Sequence, residues 1–63
     1  MRIKPEEMFS LKKGTRVRVK DGRVLELTSD YNRESVSYKC REEGSDTEIT
    51  ISVLTLNGCD VLN

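Results

Sequence analysis

The sequence predicts a small, mainly β domain: five short strands forming a barrel, with a short helical segment in front. Three observations predict it. Apolar and polar residues alternate in runs of four to seven instead of recurring at helical spacing. Turn residues punctuate those runs, at Asp21-Gly22, Gly44-Ser45-Asp46 and Asn57-Gly58. The chain is also short, 63 residues of which 35% are hydrophobic, so it makes one domain spanning 1–63. A domain of this size buries only about 60% of its unfolded surface, and self-association is one way to add burial. The expectation is a monomer or a small homo-oligomer.

Residues 1–13 read as a helical cap. Pro5, Glu6 and Glu7 are helix-start residues, and Lys12-Lys13-Gly14 ends the segment after about two turns. Met8, Leu11 and Phe9 would then cover one end of a barrel formed by residues 15–62. The barrel opens with Thr15–Leu27, two alternating runs folded back through Lys20-Asp21-Gly22. A three-residue loop with left-handed Gly22 pairs Val17 with Leu25 and puts Val17, Val19, Leu25 and Leu27 on one face. A two-residue loop would split that apolar set, so burial selects the longer loop. Thr28–Glu34 is a polar loop. Ser35–Arg41 alternates with Val36, Tyr38 and Cys40 facing inward, and Thr47–Val53 does so with Ile49, Ile51 and Val53. The parity then slips to Leu54 and Leu56, which calls for a bulge or a 3₁₀ turn. Cys59–Leu62 closes the chain as a short strand.

The net charge is zero but unevenly spread. Residues 1–23 hold eight Lys/Arg against Glu6, Glu7 and Asp21, giving +5, and residues 24–63 carry the balancing −5. Either the basic half meets an acidic partner or the two halves attract each other. Histidine is absent, no glycine-rich phosphate loop occurs, and Cys40 has no candidate base beside it. The chain is therefore expected not to be an enzyme, to need no cofactor and to bind no metal. Cys40 and Cys59 are expected as free buried thiols, with a single disulfide the alternative. No run is apolar enough to span a membrane, and the expected location is cytoplasmic.

Gly14, Val17, Val19 and Gly22, within KKGTRVRVKDGR, resemble the opening of SH3-like small barrels of the KOW and Tudor-like kind. VRVKDGR and the closing LTLNGCDVL, with Leu54, Leu56, Gly58 and Val61, are similar to the first hairpin and last motif of Sm-like proteins. The first resemblance implies ligand binding by loops and aromatics at one rim, which selects Tyr31 flanked by Asp30 and Arg33. The KOW and Sm-like resemblances both imply nucleic acid as a ligand of the basic hairpin, and the Sm-like one also implies a ring in which strands pair between subunits.

Two candidate surfaces follow. The rim loop, Asp30, Tyr31 and Arg33, suits a protein partner, although Tyr31 could equally fold back as a lid. The basic first hairpin offers candidate phosphate contacts at Lys12, Lys13, Arg16, Arg18, Lys20 and Arg23. The same charges also suit a solvated edge that resists aggregation. The leading expectation is a small protein-interaction module, an accessory or regulatory protein of a bacterium or phage. A nucleic-acid-binding barrel is the alternative.

Overall fold

The computed structural model describes residues 2–62. The chain is mainly β. Its strands are β1 (Arg16–Arg18), β2 (Val24–Leu27), β3 (Ser37–Glu42), β4 (Glu48–Ser52) and β5 (Asp60–Val61). They form one antiparallel sheet in the order β4-β3-β2-β1-β5. The first four strands meander, each beside its chain neighbour. The fifth crosses to the far edge through a 3₁₀ turn, Val53–Leu56. Because β4 and β5 do not pair, the sheet is not a closed barrel. The crossover instead fills the gap between the two edges, burying Val53, Leu56 and Cys59 in the same core as Val17, Leu25 and Tyr38.

The first hairpin has the expected register. Val17 pairs with Leu25, the Val19 N–H donates to the Arg23 carbonyl at 2.9 Å, and the Leu27 N–H donates to Thr15 at 2.8 Å. Gly22 turns the chain at φ 95°, left-handed backbone that a side chain resists. Val17, Val19, Leu25 and Leu27 are all buried. The parity slip after β4 is absorbed by the 3₁₀ turn, whose entry is capped by the Ser52 hydroxyl accepting from the Leu54 N–H. Leu56 goes into the core; Leu54, expected to share its pattern, is 71% exposed.

Three expectations need correction. The helical cap over 1–13 is a single 3₁₀ turn, Pro5–Glu7. A longer helix is pre-empted by Tyr38. Its hydroxyl donates to the Met8 carbonyl at 2.6 Å and accepts from the Leu11 N–H at 3.1 Å. Those are backbone groups that a second helical turn would have used itself. Met8 still reaches the core and Leu11 packs against it. Ile3, which the sequence did not single out, is buried at 2% exposure.

Val36 is not on the inner face. The bridge between Asn32 and Ser37 closes a tight loop, and Val36 leaves it at φ 53°, which turns its side chain outward to 45% exposure. Strand β3 therefore starts two residues later, at Ser37. Ile49 shares a sheet face with Cys40, as expected, yet is 38% exposed because β4 is an edge strand running beyond the core.

Candidate functional site

The rim loop is assembled from both ends. Asn32 shapes it: its side-chain Oδ1 accepts from the Glu34 and Ser35 N–H groups, at 2.9 and 3.1 Å. Reciprocal backbone bonds between Asn32 and Ser37 close the same loop. On the other side, the Asp30 carboxylate accepts from the Lys13 N–H at 2.9 Å, tying the loop to the turn that precedes β1. A short polar loop held at two points presents its side chains in a defined arrangement.

Tyr31 is the centre of that arrangement. Its ring lies between an exposed aromatic and a buried one. Phe9 meets it edge-on at 5.4 Å and 83°, and Tyr38 lies behind it at 5.5 Å, tilted by 53°. Aromatic pairs at this separation and angle are favourable beyond their buried area. The ring is half-buried and packs against the core. Two depressions meet at it. The larger, about 610 Å³, runs over Asn32, Arg33, Lys39 and Thr50; the smaller, about 370 Å³, runs over Phe9, Leu11 and Lys12. Asp30, Tyr31 and Arg33 line both. The expected rim residues are therefore together, with Phe9 added at 48% exposure. Phe9 had no signal in the sequence, where its place beside Met8 and Leu11 suggested a core cap.

The six candidate phosphate contacts are spread along the first hairpin. Lys12 and Lys13 lie by the rim loop, whereas Lys20 and Arg23 lie at the opposite end of the hairpin, beside Leu54. Arg23 is folded onto Asp21, Nε to Oδ2 at 2.7 Å. Hydrogen bonds from Arg23, the backbone N–H first, hold the Asp21 carboxyl below its ordinary pKa. Arg16 is bonded to Glu43 at 2.6 Å, and that hydrogen bond raises its pKa. Glu48, Arg41, Glu26 and Arg16 are successive cross-strand partners over four strands, a row of alternating sign on the outer face. Arg41 and Glu26 approach to 3.3 Å. Of the three ion pairs among the described residues, only Arg16–Glu43 joins the basic segment to the acidic one. Exposed pairs of this kind contribute little to stability, but they engage Arg16 and Arg23.

Both cysteines lie in the core. Cys40 and Cys59 are free and buried, and burial pushes both thiols above their ordinary pKa, away from the thiolate that reacts. Among the described residues no three His, Cys, Asp or Glu side chains cluster as metal ligands, and no helix is long and apolar enough to cross a membrane. In comparison with known proteins, the chain matches no family model, no curated protein and no solved structure.

Proposed function

We propose that the chain is a small, non-enzymatic protein-interaction module of the SH3-like kind, which takes a segment of a partner protein across Tyr31. The carrying observation is the Phe9–Tyr31–Tyr38 aromatic row with Asp30 and Arg33 beside it, set where two depressions join. Half-buried aromatics that are already ordered lose little entropy on binding, and a flanking acid and base give polar specificity. Five short strands, the last following a tight turn, support the SH3-like resemblance.

The test is a peptide selection from a random displayed library, with binding sites then mapped by amide chemical shifts. Selected peptides should shift Phe9, Asp30, Tyr31 and Arg33. Tyr31→Ala should weaken them roughly tenfold or more while the rest of the spectrum stays folded. Peptides that bind the Tyr31→Ala protein unchanged would overturn the reading.

The nucleic-acid reading keeps one favourable observation. Lys12, Lys13, Arg18 and Lys20 are exposed and in no ion pair among the described residues. The expected result is weak binding of an unrelated oligonucleotide near physiological salt. Tight binding with a log–log salt slope of roughly −3 to −4, as contacts from all four would give, would reverse the ranking.

A further inference from the structure

Strand β4 borders the sheet, and no described strand lies on its outer side. We propose that this edge pairs with the same edge of a second copy, antiparallel and centred on Thr50, to make one continuous ten-stranded sheet.

The first argument is which backbone groups are free. Beyond the end of β4, the Val53 N–H donates to the Val36 carbonyl at 3.1 Å. Hydrogen-bonding direction alternates along an antiparallel strand, so Ile51 and Ile49 likewise turn theirs toward β3, opposite Tyr38 and Cys40. Glu48, Thr50 and Ser52 therefore turn their N–H and C=O groups outward.

The second argument is self-complementarity. A two-fold axis at Thr50 sets Thr50 against Thr50, Glu48 against Ser52 and Ile49 against Ile51. No like charges oppose each other, and each half-open isoleucine meets the other copy's isoleucine on the core side of the sheet. This centre also pairs every residue of Glu48–Ser52. Moving it to Glu48 opposes two carboxylates, and moving it to Ser52 runs into the 3₁₀ turn, which offers no strand. Centres at Ile49 or Ile51 leave two of the five strand residues without a strand partner.

The third argument is that the other edge is already covered. Arg2 bridges Asp60, and the Ile3 N–H donates to the Cys59 carbonyl at 2.7 Å. An uncovered strand of this length, carrying isoleucines, is a template for pairing. A small domain with a limited core gains most from such burial.

Sedimentation equilibrium of the full chain from micromolar to millimolar concentration tests this directly. The expected result is a monomer–dimer equilibrium. Thr50→Pro should abolish the dimer while leaving the fold intact, because the N–H it removes points away from β3. Should Thr50→Pro perturb the amide spectrum, Thr50→Lys keeps the backbone and places two ammonium groups face to face. It should raise the dissociation constant roughly tenfold, less so in high salt.

Register is read by cross-linking. Thr50→Cys should form an intermolecular disulfide on mild oxidation, its two Cα atoms lying about 5.5 Å apart. Ser52→Cys should not, since its copies lie about 13 Å apart across the axis. A monomer throughout the concentration range, a dimer that survives both Thr50 changes, or faster cross-linking through Ser52→Cys overturns the proposal.

Discussion

At one edge of the sheet, β5 is two residues long and the N-terminal segment lies along its outer side. At the other, β4 runs for five residues with no described strand on its outer side and four of its five side chains exposed. Both ends face the same physical problem, a row of hydrogen-bonding groups without partners. The β5 edge answers it within the chain: Arg2 and Ile3 act as a short extra strand, and Ile3 is buried in the process. The β4 edge carries one charge, Glu48, and no cover among the described residues. The difference shows that a short edge strand needs little protein to be covered, whereas a longer one needs more.

The largest expected effect comes from stripping the covered edge. Ile3→Ala removes a buried side chain from the clasp and should cost about 2–4 kcal/mol in urea unfolding. That is a large share of the stability of so small a domain. A cost below about 1 kcal/mol would mean that the clasp is ornamental and that both edges are effectively open.

Tyr38→Phe sharpens the comparison, because the hydroxyl anchors the segment that leads out of the clasp. The change leaves the Met8 carbonyl and Leu11 N–H without their partner and should cost about 1–3 kcal/mol. Amide exchange should rise at Leu11 and stay unchanged in β4. Faster exchange in β4 as well would show that the two edges are not independent.

On the opposite side, Val36→Gly should be stabilising by a few tenths to about 1 kcal/mol, since a β-branched residue at φ 53° is strained and glycine is not. If melting falls instead, the exposed Val36 side chain is making a contact that offsets its strain.

Alkaline pH probes both edges at once, because Cys59 receives the clasp and Cys40 lies opposite Ile49. Burial raises both thiols above their ordinary value of 9.0, and raises the Tyr38 phenol above 10.0. The folded state therefore holds these protons after the unfolded state has lost them. Their contribution is complete below the unfolded values and is lost as pH rises through the folded ones. The melting temperature should be insensitive to these groups near neutrality and decline above pH 9. A flat profile to pH 11 would contradict the burial of all three.

What could be read from the sequence was local and periodic. The register of the first hairpin followed from Val17, Val19, Leu25 and Leu27, because one slipped residue would expose all four. The parity slip at Val53 and Leu54 called for a bulge or a 3₁₀ turn, and the chain uses the turn. Tyr31, Asp30 and Arg33 were legible as a rim because they share one loop. What was not legible depends on residues far apart. Nothing near Phe9 announces that Tyr31 will lie beside it, and Ile3 looks like any apolar residue until β5 is placed. Val36 alternates correctly and is turned outward only by the tight loop that Asn32 closes. Ile49 alternates correctly too, and its exposure depends on where the core ends.

The clasp also bears on how the molecule folds. Hairpins β1–β2, β2–β3 and β3–β4 each join neighbouring stretches of chain, so each closes a short loop. Pairing of β1 with β5, and of Ile3 with Cys59, joins the stretches most distant along the chain, and its entropy is lost last. A meander of three hairpins is thus the natural nucleus, and the clasp is a latch that closes over it. Contacts absent from the transition state govern how fast the native state opens, not how fast it forms. Weakening Ile3 should leave the refolding rate near its original value and shorten the native lifetime, making two residues at one edge the timekeepers of the whole fold.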